Sequence, residues 1–428
     1  MKYRLLTLGC KVNQFETQAL ETMLKQRGYT EAEEGEQAAV VVVNTCAVTA
    51  ESGRKSRQAV RRLKGENPEA LLVVCGCFSQ LSPADTAALG ADIVHGSGEK
   101  TRLVEDIERA LNEREPIAFT DDPFQRKTME ELPTGPAHGR TRAMLKIQDG
   151  CTNFCSYCII PYTRGRVRSL PSARCAAQAA ELCRRGFREL VITGIEIASF
   201  GRDLEPRESL AQAVEAIASA CGGMRIRLGS LEPTVVTPEF AGRLRATGKV
   251  CDHFHLSLQS GSDSVLKRMN RKYDAARFLE AAGALRAEFP DCGLTADLIV
   301  GFPGETEAEY EESLAFLKLV DFSSVHVFPY SIRPGTRAAE MAGQLTHAQK
   351  AVRAARAQRL ADEMERDYLL SCVGKTLSVL FETEEHGLSV GHAANYTQVC
   401  VSGGQLRGLV TNVEITGISD KMLVGKTV

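Results

Sequence analysis

The chain has no tryptophan, no long apolar run and no excess of one charge. Its 52 lysines and arginines face 54 acids, a formal net charge of −2, which excludes a wholesale polycationic RNA binder but not local basic patches. The longest uncharged apolar stretch, Ala38 to Ala50, is too short to cross a bilayer. A six-residue uncharged run before Lys11 is too short for the apolar core of a secretory signal. The expectation is therefore a cytoplasmic protein without a membrane segment. With 43% apolar and 25% charged side chains over 428 residues, disordered and fibrous classes are excluded, and two to three globular domains fit.

What the chain does have is cysteine, 14 in all. Without a secretory signal, so many thiols argue for metal ligation or reduced buried side chains rather than disulfides. Cys175, Cys183, Cys221, Cys251, Cys292, Cys372 and Cys400 read as small core hydrophobes.

Three regions separate by pattern. Residues 1–120 alternate apolar runs (Leu5 to Leu8, Val40 to Val43, Leu71 to Val74, and the weaker Ile93-Val94) with helical stretches, the signature of a parallel α/β sheet. Residues 121–142, rich in proline and glycine, read as a linker. Residues 143–370 hold six strand-like runs separated by helices, one opened by the capping box Thr306 to Glu309, which fits a barrel or partial barrel. The polar helix from about Thr346 to Leu370 leads to residues 371–428, whose short β-rich runs between Gly and Asn turns predict a small all-β barrel. The fold class is α/β, with a β module at the end.

Two cysteine constellations stand out. Cys151, Cys155 and Cys158 lie on one tight loop after the first barrel strand, where three thiolates can each hold a corner of an iron–sulfur cube and leave one iron open. Cys10, Cys46 and Cys77 each follow a predicted parallel strand, and the ends of such strands share one ligand-binding edge. Cys75 competes with Cys77 for the third place; Cys77 is preferred because Gly76 frees the backbone to turn, whereas Cys75 still belongs to the strand.

Cys151-x3-Cys155-x2-Cys158, with Tyr157 before the last cysteine, is similar to the cluster motif of radical S-adenosylmethionine (SAM) enzymes. The N-terminal part with Cys10, Cys46 and Cys77 resembles the domain that marks the methylthiotransferase family, and the tail resembles its RNA-contacting TRAM barrel. Gly9-Cys10-Lys11-Val12-Asn13-Gln14 and Asn44-Thr45-Cys46-Ala47-Val48-Thr49 resemble the branch acting on N6-threonylcarbamoyladenosine beside the tRNA anticodon. Alternatives within the family are isopentenyladenosine in tRNA or a ribosomal protein aspartate; a remoter one is a non-enzymatic iron–sulfur RNA-binding protein.

The resemblance implies a partial (βα)6 radical SAM barrel, two 4Fe–4S clusters and SAM as cofactors. It implies that Cys151, Cys155 and Cys158 hold the cluster that cleaves SAM, producing a radical that takes hydrogen from carbon 2 of the adenine. Cys10, Cys46 and Cys77 would hold the auxiliary, sulfur-donating cluster. Family motifs map the cofactor face onto Tyr157, Thr193, Gly194, Ser230, Glu232, Gln259 and Asp297; Glu196 stands where a histidine is frequent. Implied partners are the tRNA anticodon stem-loop, an electron donor such as flavodoxin or ferredoxin, and a sulfur source. Arg164, Arg166 and Arg168, beside the cluster loop, are the expected RNA contacts, ahead of the helix residues Arg54, Lys55, Arg57, Arg61 and Arg62, which read as a solvated face. The tail, at net −1, reads as a module that positions RNA by shape.

Overall fold

A computed structural model describes residues 1–135 and 141–428; residues 136–140, within the expected linker, lie outside the described residues. The N-terminal region is a six-stranded sheet, parallel throughout, ordered Thr30–Glu31, Lys2–Thr7, Val40–Thr45, Leu71–Gly76, Ile93–His95 and Ile117–Phe119. Val40, Val42, Val73 and Cys75 pack toward Leu20 of helix Lys11–Gln26 and Ile107 of helix Lys100–Glu113. Val41, Val43, Leu72 and Val74 face the other way, against Val60 and Leu63 of helix Ala50–Glu66. Cover on both faces is why these strands read as unbroken apolar runs. The two outermost strands, short and without that signal, add to those expected from sequence. Chain direction along the sheet reverses between Lys2–Thr7 and Val40–Thr45, a switch point that leaves a crevice at the strands' C-terminal edge.

All six runs of the second region form parallel strands: Arg142–Lys146, Glu189–Thr193, Arg225–Leu228, His253–Gln259, Gly293–Val300 and Ser324–Pro329. They hydrogen-bond as two sheets of three, joined by the single bridges Ile226–Val250 and Leu231–Leu256, and so make an arc rather than a closed barrel. Leu145, Leu190, Ile192, Ile226, Phe254, Leu294 and Ala296 pack outward beneath the surrounding helices.

The open seam of the arc is spanned by the N-terminal sheet. On one side Lys146 Nζ of the first strand donates to Glu16 Oε1 at 2.8 Å. On the other, the Ala50 N–H donates at 3.1 Å to Ser331 Oγ, just past the last strand.

Helix His347–Cys372 leads to a closed five-stranded barrel of Thr376–Glu385, Leu388–Ala393, Gln398–Ser402, Val410–Ser419 and Met422–Thr427. This barrel caps the arc where its strands begin. Arg225 donates to the carbonyls of Ser378 and His392, and Arg227 to those of Ala393 and Ala394. Glu189 neutralises both arginines, and Tyr396 lies under the Arg227 guanidinium at 4.7 Å. Among the described residues, no helix is long and apolar enough to cross a membrane.

Candidate functional site

The loop carrying Cys151, Cys155 and Cys158 is fixed from several sides. Cys151 N–H donates to the Gly165 carbonyl at 3.0 Å, and Ser156 N–H to the Met269 carbonyl at 2.9 Å. Asn270 Nδ2 reaches the Phe154 carbonyl at 2.8 Å, and a tight turn brings Cys158 N–H to the Cys155 carbonyl at 2.9 Å. Arg271, buried beside the loop, donates from Nη1 to Cys155 Sγ at 3.1 Å. Burial pushes the Cys151 and Cys158 thiols up to about 12, reinforced by Glu196 beside Cys151 and by the neighbouring cysteines. Those thiols ionise at neutral pH only with a strong Lewis acid beside them, which is what an iron–sulfur centre supplies.

The second trio gathers at the switch-point edge. Cys10 caps helix Lys11–Gln26, Cys46 follows its strand directly, and Cys77 opens the short helix Cys77–Leu81. A Cβ at Gly9 would lie 2.9 Å from Cys46 Sγ, so the turns bearing Cys10 and Cys46 touch. Cys77 is within electrostatic reach of Cys10 and Cys46, and also of Cys158 in the other trio. Gly76 makes the turn possible: its φ is +101°, and a Cβ there would sit 2.5 Å from the Thr45 carbonyl. Cys75, by contrast, is fully buried in the sheet core, where desolvation pushes its thiol up to about 11. Among the described residues no three His, Cys, Asp or Glu side chains close around a single ion. A cube asks for a wider triangle, because each thiol serves its own iron.

Asn13 locks the second trio: its Nδ2 donates to the carbonyls of Leu8 and Thr45 at 2.8 and 3.0 Å. Its Oδ1 accepts from Arg164 Nη2 at 2.7 Å. Arg164 is a correction to the sequence reading. It is wholly buried, paired with Glu16 and 3.5 Å from Asp149, so no phosphate reaches it. Arg168 is likewise buried, donating to the Arg164 and Arg166 carbonyls at 2.9 and 2.8 Å. Arg164 joins the N-terminal sheet to the arc and Arg168 braces the loop beneath it beside Asp149, instead of meeting RNA; a buried cation is kept where carboxylates neutralise it. Arg164 also places a positive charge near Cys10 and Cys77. Arg166 is exposed.

The expected cofactor face divides. Glu232 Oε2 accepts from Asn153 Nδ2 at 2.8 Å, while its buried Oε1 has no hydrogen-bond partner. Arg271 Nη2, 3.5 Å away, is orphaned as well. A buried carboxylate and guanidinium that meet as a long ion pair, each with one atom short of a hydrogen bond, can cradle a zwitterion such as the amino-acid end of SAM. Tyr157, edge-on to Phe302, has its hydroxyl 3.5 Å from Arg271. Thr193 ends its strand, buried, and Gly194 lies against Gln148 with no room for a Cβ. Gln259 ends its strand in a left-handed conformation, φ +67°. Ser230 and Asp297 face a different space, the lumen of the arc. Glu196 is raised to about 8 by burial and by Glu232. Arg271, Asn153, Asn13 and Glu16 went unassigned in the sequence because their partners are remote in the chain.

Residues 145–317 match the radical SAM superfamily, and residues 2–96 match a family described as uncharacterized protein family UPF0004. A radical SAM methyltransferase from Kitasatospora setae, with cobalamin and a [4Fe-4S] cluster bound, shares the fold at TM-score 0.55 and 14% identity, over 79% of this chain and 77% of that one. The threonylcarbamoyladenosine tRNA methylthiotransferase MtaB of Bacillus subtilis is 38% identical, over 96% of this chain and 92% of its own length. The MtaB of Thermotoga maritima is 37% identical over 89% and 86%. A tRNA-2-methylthio-N(6)-dimethylallyladenosine synthase of Pelotomaculum thermopropionicum is 32% identical over 99% and 97%. By class the protein is a radical SAM enzyme. The chain belongs to the radical SAM tRNA methylthiotransferase family, whose cofactors are SAM and two 4Fe–4S clusters.

Proposed function

We propose that this enzyme adds a methylthio group to carbon 2 of N6-threonylcarbamoyladenosine next to the tRNA anticodon. What supports this reading is that Cys10, Cys46 and Cys77 end neighbouring elements of a sheet docked through Asn13 and Glu16 onto the arc that carries Cys151, Cys155 and Cys158, together with relatives named for that nucleoside at up to 38% identity. Cys151, Cys155 and Cys158 would hold the cluster that cleaves SAM, and Cys10, Cys46 and Cys77 the sulfur-donating one. When bound, these groups supply one-electron cleavage and a transferable sulfur.

The chain's own work is binding and orientation. Arg271 and Glu232 would receive the charged end of SAM, with Tyr157, Thr193, Gly194 and Gln259 as further walls, while Ser230 and Asp297 line the lumen instead. Arg164 offsets negative charge at the auxiliary trio, and Asn13 holds its turns in register. The same reading makes residues 1–120 the auxiliary-cluster domain, 121–142 the linker, 143–370 the radical SAM core and 371–428 the RNA-positioning module. Arg166 remains as an RNA contact; electron donor and sulfur source complete the partners. The test is nucleoside mass spectrometry of tRNA from a strain lacking the gene. Loss of the methylthio group from threonylcarbamoyladenosine alone is expected; a lesion in isopentenyladenosine instead would overturn the assignment.

A further inference from the structure

The lumen of the arc is a cavity of about 650 Å³ with a mixed wall, in which apolar surface is interrupted by a group of polar and charged side chains. Lys11, His253, His255, Thr295, Asp297 and His326 line it. Thr295 Oγ1 stands between two imidazoles, 3.1 Å from His253 Nε2 and 3.0 Å from His255 Nδ1. A hydroxyl has one proton to give, so at most one of the two imidazoles accepts from it and at least one donates. His255 Nε2 is 3.6 Å from Asp297, and the His326 ring lies 6.4 Å from the His255 ring. Tyr396 of the C-terminal barrel stacks on His253 at 4.6 Å and floors the space.

The charges in this wall do not cancel evenly. Lys421 is paired with Glu365 and Asp362, and Asp297 faces His255. Lys11 is exposed to the cavity and, among the described residues, makes no side-chain hydrogen bond or ion pair. It sits in the first turn of helix Lys11–Gln26, where the backbone amides add positive potential. It also directly follows Cys10, one of the proposed sulfur-site thiols. A cation without a partner, opposite a wall of imidazole, hydroxyl and carboxylate, suits a ligand arm bearing a carboxylate together with hydrogen-bonding groups. An apolar arm would desolvate this wall and leave Lys11 unmatched.

We infer that this lumen receives the N6 substituent of the substrate base, with Lys11 binding its carboxylate and the His255–Thr295 wall its polar groups, so that Lys11 sets specificity. The inference rests on the substrate reading above, in which the substituent is a threonylcarbamoyl group with a carboxylate, a hydroxyl and a urea. In adenine, carbon 2 and the carbon bearing N6 flank the same ring nitrogen. An arm on N6 therefore lies beside the carbon being modified, which is where a residue adjoining Cys10 is available.

The experiment compares reconstituted holoenzyme on anticodon stem-loops carrying threonylcarbamoyladenosine, its threonine methyl ester, or isopentenyladenosine. Wild type should prefer the free acid over the ester by about tenfold to a hundredfold in kcat/KM, the range of a lost charge-assisted hydrogen bond. Lys11→Met should abolish that preference, with the loss falling on the free acid, and Lys11→Arg should restore much of it. Iron content checks that Lys11→Met keeps its clusters. Should it lose iron, His255→Phe on the opposite wall carries the test, with an expected loss on both threonylcarbamoyl substrates of at least about tenfold. Equal use of acid and ester by wild type, or an unchanged preference in Lys11→Met, would overturn the inference and leave the substrate reading standing. Modification of the isopentenyl substrate alone would overturn that reading itself.

Discussion

The two cysteine trios proposed as cluster sites are assembled by opposite routes. Cys151, Cys155 and Cys158 share one loop, whose spacing is written in eight consecutive residues and whose shape is held by nearby carbonyls and amides. Cys10, Cys46 and Cys77 come from three strand ends, and their triangle exists only when the sheet is folded and docked. The local trio can be recognised as a motif; the distributed one depends on a buried electrostatic strut. Arg164 and Lys146 on the arc side meet Glu16 on the sheet side, with Asp149 between them. Nonlocal geometry must be held by interactions between regions, and here those are charged.

The largest difference should appear in iron and activity. Replacing Cys10, Cys46 and Cys77 together by alanine should remove about half of the roughly eight irons per chain expected for two cubes, and end methylthiolation while SAM cleavage persists. Cys155→Ala should end both. Anaerobic iron analysis with product assays measures this, and full iron in the triple variant would remove the auxiliary site from consideration.

A smaller effect separates the trios by pH. Arg164, Lys146 and the other nearby cations hold the Glu16 and Asp149 carboxyls well below the usual carboxylate range despite burial. A carboxyl depressed in the folded state stabilises it above the unfolded value, about 4, and that contribution fades as pH falls below it. Stability of wild type should drop over that window by about 3–5 kcal/mol, the cost of leaving a buried pair broken. Glu16→Gln should start lower at neutral pH and show a shallower acid slope in denaturant titrations; an identical slope would refute the strut.

The smallest effect sharpens the choice within the distributed trio. Cys75→Ala should cost about 1 kcal/mol of packing in the sheet core with iron unchanged, whereas Cys77→Ala should lose the auxiliary iron. Thermal unfolding and iron content, measured on both, distinguish them.

Much of this architecture is legible in the sequence for a physical reason. Strands covered on both faces announce themselves as apolar runs, which is why Val40 to Val43 and the six arc strands stand out. Strands Leu388–Ala393 and Met422–Thr427 were hidden because glycines interrupt them. At Gly391 that glycine is required: a Cβ would sit 2.0 Å from the Leu380 carbonyl of the neighbouring strand. The loop of Cys151, Cys155 and Cys158 is legible as a motif because few other roles suit that spacing. Arg164 and Arg168 were misread because a run of alternating arginines looks the same whether it faces phosphate or remote carboxylates. Glu232 is reached through its family motif, whereas Arg271 carries no signal in the sequence, since what marks it is a hydrogen-bonding valence left over in three dimensions.

The N-terminal sheet closes the seam of the arc, and the same turn that presents Lys11 to the lumen also presents Cys10. Any displacement that widens the seam carries both residues outward together. Under the proposed assignment of Cys10, access to the chamber and alignment of the sulfur site would therefore share a single mechanical coordinate.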